Sequence, residues 1–200
     1  MALVEENGSE PAAAAVPQAP ATHGDVSGRS AFKSAVMFRD QAEQVRWLRA
    51  MVDRYRGDTL IHDKAADIAF NWASCPTTPT GGDKARLCQA VAIGRWVQQN
   101  IRYVNEGAET FQSPVRTLTA RIGDCDDFTT LVCALLESIG IRSELVGLQW
   151  GGSFRHIFPR AVIGGRRIPL DATLSMDVAQ LTNPIAISLA RGDNPSILAV

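Results

Sequence analysis

The hydrophobic period of this chain changes once, at Gly140, and that change limits the folds open to it. Before Gly140 apolar residues recur every three or four positions; after it they alternate. A 3.6-residue period buries one face of a helix, and a period of two buries one face of a strand. Helices therefore come first and an antiparallel sheet second, an α+β arrangement. The last helix of the first half opens at a cysteine. In DCDDFTTLVCALLESIG, Leu131, Leu135 and Ile139 form one stripe, and Phe128, Val132 and Leu136 widen it. Gly140 suits the left-handed position that ends a helix.

Upstream, three more helices are expected. Val45, Leu48, Val52 and Tyr55 make a stripe in a pattern that begins near Ser30 and ends before Gly57. Asp58 caps a second helix from Thr59, with Ile61, Ala65, Ile68 and Trp72 on one face and a stop at Cys75-Pro76. A third runs from Gly82 or Asp83 through Leu87, Val91, Gly94, Val97 and Ile101. The stretch NEGAETFQSPVRTLTARIGD reads as an irregular connection. Downstream, IRSELVGLQW, FRHIFPRAVI and RRIPLDAT read as three strands, the last two joined by a Gly164-Gly165 hairpin turn. Residues 1–29 are Ala- and Pro-rich and are expected to be a disordered tail. Residues 30–175 form the domain, with its core at 85–175. Residues 176–200, ending in apolar SILAV, are an extension that the pattern does not place, and partner docking is one reading of it.

With 20 basic and 21 acidic residues, the chain offers no electrostatic case for nucleic acid or an anionic membrane surface. No stretch approaches the ~18–20 apolar residues of a membrane span. Glu5 and Glu6 stand where a secretory signal carries basic residues, so the expected location at synthesis is cytoplasmic. A reducing compartment would keep Cys75, Cys88, Cys125 and Cys133 as thiols, and no spacing among them points to a metal site. Cys75, Cys88 and Cys133 read as structural. No cofactor is expected.

Cys125 is different because it starts a helix. The helix N-terminus carries partial positive charge and unsatisfied N–H groups, which is expected to lower the thiol pKa and to offer donors to an oxyanion. Gly123 lets the chain turn into that helix. His156 sits mid-strand and Asp171 ends the next strand. Counting outward from the hairpin pairs Ile163 with Arg166, sets His156 opposite Thr173, and leaves Asp171 a diagonal neighbour on the same face. A carboxylate there would hold the imidazole tautomer. Each residue has a structural alternative: a buried thiol, a half-buried histidine, a turn aspartate. Gln112 is an upstream candidate oxyanion donor or a plain loop residue. Trp150, Asp124 and Asp126 are substrate-cleft candidates, with core packing and helix-start roles as the alternatives.

The segments GDCDDFTTLVCALLESIGIRSELVG, RHIFPRAVI and RIPLDAT resemble the core of the transglutaminase-like superfamily. The likeness lies in G-D-C at a helix start, G-I before a strand, a His on the next strand and an Asp closing the one after. RWVQQNIRYVNEG resembles the family's preceding helix. The resemblance implies a papain-like fold, with N-terminal helices and the nucleophile's helix packed on an antiparallel sheet. It implies a Cys125-His156-Asp171 triad and acyl transfer or hydrolysis of a protein or peptide substrate through a thioester, without metal. The GDCDD form also resembles proteins encoded in phages and prophages. That implies virion association and phage structural proteins as partners through the terminal extensions, and an assembly protein that keeps the fold for binding is the alternative function.

Overall fold

The structure is a computed structural model that describes residues 40–76, 82–104, 111–150, 153–174 and 196–199, with only the backbone of 149, 150, 153–155 and 196–198. Its helices are α1 (Gln41–Tyr55), α2 (Thr59–Ala66), α3 (Gly82–Asn100), α4 (Pro114–Ala120) and α5 (Cys125–Ser138). A π-helical turn, Asp67–Trp72, continues α2. The strands are β1 (Arg102–Tyr103), β2 (Ile122–Gly123), β3 (Ser143–Trp150), β4 (Ser153–Ile163), β5 (Arg166–Pro169) and β6 (Ser196–Ala199). Four of them form an antiparallel sheet in the order β5-β4-β3-β6, and β1 pairs with β2 in parallel. This is the α+β arrangement that the change of period implies. Among the described residues no helix is long and apolar enough to cross a membrane.

The core is built around α5. A helix apolar on all sides must be enclosed on all sides, and every residue from Asp126 to Leu136 is buried. α1, α2, α3 and α4 pack on it, while β3 and β4 close the remaining side. Its end is set by Gly140, at φ 78°. There Gly140 N–H donates to Glu137 O (3.1 Å) and Ile141 N–H to Leu136 O (2.9 Å), the paired bonds of a Schellman cap. Glu137, near that end, takes a bidentate pair from Arg49 of α1 (2.7 and 2.6 Å) and the Ser143 hydroxyl of β3 (2.7 Å).

The start of α5 depends on a close approach. A Cβ on Gly123 would lie 2.7 Å from the Asp127 Cβ, so glycine is needed there for space rather than for turning freedom. At the hairpin, Gly164 and Gly165 both have positive φ (55° and 76°), and Ile163 pairs with Arg166 as expected.

Several expectations are corrected. Trp72 leaves the buried stripe of α2 and is 45% exposed, because the wider π turn rotates it away. The stretch read as irregular contains α4, opened by Ser113 as N-cap, whose hydroxyl accepts from Arg116 N–H (3.2 Å), and by Pro114 in the first turn. The apolar SILA of the C-terminal extension is strand β6, paired with β3. The N-terminal tail and residues 175–195 lie outside the described residues. Cys75 and Cys88 are not free thiols: they form a disulfide joining the segment after the π turn to α3, a feature of oxidising surroundings.

Three outcomes follow from these contacts. The denatured, unreduced protein should titrate two thiols, those of Cys125 and Cys133, and four after reduction. Reduction should lower unfolding free energy by about 3 kcal/mol, the usual effect of a loop this short, read by urea denaturation. Gly123→Ala should cost ~1–3 kcal/mol by overpacking against Asp127, in the same assay.

Candidate active site

α5 starts with Cys125, and Asp124 is its N-cap in extended conformation. Three N–H groups converge on Asp127 in the first turn: Gln112 N–H to Oδ1 (2.8 Å), Gln112 Nε2 to Oδ2 (2.8 Å) and Asp124 N–H to Oδ2 (3.4 Å). Burial pushes the Asp127 carboxyl up to about 7, against the Gln112 donors that favour its charged form. Gln112, the expected oxyanion donor, is buried, and its amide is engaged by Asp127 and by Ile122 O at 3.4 Å. It fastens the chain before α4 to the start of α5 rather than facing a substrate.

β4 presents His156. Leu148 pairs with His156 and Gln149 with Phe154, so Arg155 is an extra residue, a bulge beside the histidine. His156 Nε2 lies 2.6 Å from Asp171 Oδ2. Asp171 is 1% exposed, and its other oxygen accepts from Thr173 N–H (3.1 Å) and the Thr173 hydroxyl (2.6 Å). The expected His156–Asp171 contact is thus present. The expected ladder position of His156 opposite Thr173 is not, because β5 ends at Pro169 and Asp171 sits in the turn beyond it.

That early ending brings the helix to the sheet. Leu170 N–H still donates to Pro159 O (2.9 Å) on this edge of β4. Two residues back along β4, the same edge exposes the N–H and C=O of Ile157 with no strand to pair them. α5 takes both. The Ile157 N–H donates to the Cys125 sulfur, and Thr129 Oγ1 donates to Ile157 O (3.2 Å). The first turn of α5 is therefore docked on the residue next to His156.

The thiol's protonation differs from the expectation. Burial, then the carboxylates of Asp126 and Asp124, push Cys125 up to about 12; Asp171 adds to this and the Ile157 N–H opposes it. Desolvation and negative neighbours favour the neutral form, so the thiol pKa is raised rather than lowered as expected, and the thiol is protonated at rest. Burial pushes Cys133 up to about 12 as well, and it is a core residue as expected. Asp126 is 5% exposed and Asp124 half-buried. One oxygen each of Asp124, Asp126 and Asp127 lie within 4.8 Å of one another, a spacing that suits a cation, although the N–H donors on Asp127 account for that side chain without one. Trp150 lies on β3, and its side chain is outside the described residues.

Tyr103 escaped the sequence reading. It pairs with Gly123 across β1 and β2, and its ring meets the Phe128 ring edge-on at 6.0 Å. A two-residue strand has no period to detect, so only the pairing reveals that Tyr103 stands beside the start of α5.

The transglutaminase-like superfamily pattern matches residues 75–172, which contain Cys125, His156 and Asp171. No curated protein matches the chain. A candidate protease from Parabacteroides distasonis shares the fold, with a TM-score of 0.56 at 14% identity over 86% of this chain and 34% of its own. A candidate cysteine protease from Cytophaga hutchinsonii aligns with a TM-score of 0.46 at 21% identity, over 76% of this chain and 52% of its own. The chain thus spans about half of one relative and a third of the other. It contains a domain of the transglutaminase-like superfamily.

Proposed function

We propose that the chain is a cysteine-dependent hydrolase that cleaves amide or peptide bonds through a thioester, with Cys125 as nucleophile, His156 as base and Asp171 as the residue that orients the base. The observation that carries this reading is the 2.6 Å contact between His156 Nε2 and the buried Asp171 carboxylate, one residue from the backbone that binds the Cys125 sulfur. Asp171 holds the proton on Nε2, which leaves the Nδ1 lone pair to take a proton. The Cys125 thiol gives its proton to Nδ1 as sulfur attacks the carbonyl carbon. The Cys125 backbone N–H, at the helix start, stabilises the oxyanion. The imidazolium then protonates the leaving amine, and water, deprotonated by His156, releases the acid and restores the thiol. The reading agrees with the description of both longer structural relatives as candidate proteases.

A protonated resting thiol makes proton transfer part of the attack. Alkylation of Cys125 by iodoacetamide should therefore keep rising with pH through 9, towards a titration near 12. A rate plateau starting at acidic pH would reveal a resting thiolate–imidazolium pair and overturn this order of events.

Acyl-enzyme formation with an activated ester, followed by mass spectrometry, tests the residues. Cys125→Ser and His156→Ala should abolish the adduct. Asp171→Asn, which presents the wrong partner to Nε2, should slow turnover ~10⁴-fold while leaving the fold intact by circular dichroism. Full activity in Asp171→Asn would sink the orienting role. Adding a primary amine separates hydrolysis from transamidation, because only the latter yields an amide product.

A further inference from the structure

Apolar packing holds most of α5 against the sheet, and such packing is non-directional and tolerates small slides. Proton transfer between two side chains does not tolerate them, since a misplacement of about 1 Å can cost ~10²-fold in rate. A directional contact between the start of α5 and β4 is what can fix Cys125 relative to His156. Thr129 makes that contact.

Thr129 lies one turn along α5 from Cys125 and is fully buried, so a substrate cannot reach it. Its hydroxyl oxygen is 2.7 Å from Cys125 O and 3.2 Å from Ile157 O. One carbonyl belongs to the residue that carries the thiol, the other to the residue after His156. The oxygen touches both backbones and so spaces them directly. A hydroxyl has one proton and serves one carbonyl at a time. Within the helix Cys125 O is already the acceptor for the Thr129 N–H. Ile157 O has no strand beside it, because β5 ends at Pro169. The Thr129 hydroxyl is the donor that this carbonyl needs.

We propose that Thr129 is a positioning residue, whose hydroxyl holds Cys125 at the distance from His156 that proton transfer requires. The inference rests on the reading of Cys125 as nucleophile and His156 as base. Thr129 touches neither the substrate nor the reacting atoms, and no bond is made or broken at it. It acts by keeping the first turns of α5 in register with β4.

Thr129→Val and Thr129→Ser test it in the full chain. Valine keeps the shape and loses the hydroxyl; serine keeps the hydroxyl and loses the methyl. Acetylation of Cys125 by p-nitrophenyl acetate at neutral pH is followed by nitrophenolate release, with the acetyl group located by mass spectrometry. Alkylation by iodoacetamide in strongly basic buffer is the control, because hydroxide rather than His156 then takes the thiol proton. The expected result is acetylation ~10²-fold slower in Thr129→Val, the loss that a misplacement of about 1 Å brings, and restored in Thr129→Ser. Alkylation should be unchanged in both. Acetylation of Thr129→Val at the wild-type rate overturns the proposal. So does a Thr129→Ser protein as slow as Thr129→Val, because side-chain shape and not the hydroxyl would then matter. An equal slowing of acetylation and alkylation overturns it too, because access to the thiol would then be what changed. Should Thr129→Val fail to fold by circular dichroism, Thr129→Ala against Thr129→Ser makes the same comparison. Failure of the acyl-transfer reading shows itself separately, in a wild-type Cys125 that alkylates but never acetylates, and takes this inference with it.

Discussion

Everything in this fold follows from enclosing one helix. α5 carries apolar side chains around its whole circumference, so it is stable only when covered by α1 to α4 on one side and by β3 and β4 on the other. Burying a helix that completely creates a difficulty at its first turn, where N–H groups have no partner within the helix and where polar residues lie. The chain answers with a dense set of hydrogen bonds: Asp127 collects three N–H groups, and Thr129 reaches across to Ile157. The candidate active site is built on that answer.

The same enclosure explains why Cys125 is a poor thiolate at rest. Papain-like sites are commonly pictured with the helix N-terminus drawing out a thiolate. Here Asp124 and Asp126 flank the sulfur and solvent is largely excluded, and both effects favour the neutral thiol. Under the proposed mechanism a neutral thiol suits general-base activation by His156 at the moment of attack. It also protects the thiol from adventitious oxidation, because oxidation follows thiolate character.

A short strand does much of the positioning. Had β5 continued past Pro169, it would have paired with Ile157 and barred α5 from that edge. Its early ending lets Asp171 turn back to His156 and leaves the Ile157 N–H to the Cys125 sulfur. The bulge at Arg155 lies just before the histidine on the same strand. One break in the regular ladder thus brings together residues from three elements.

The helical stripes, the capped start at Asp58, the Gly140 stop and the Gly164-Gly165 register were legible in the sequence because each depends on local period or on a residue's own backbone preference. The contact of His156 with Asp171 was legible in the hairpin register, although Asp171 lies beyond the end of β5 rather than on it. Tertiary structure decided the rest. The engagement of Gln112 by Asp127, the raised thiol, the Cys75–Cys88 bond, the place of SILA in the sheet and the position of Tyr103 all depend on segments distant in sequence meeting in space. Burial and long-range electrostatics exist only once those segments have met, and so no local pattern could carry them.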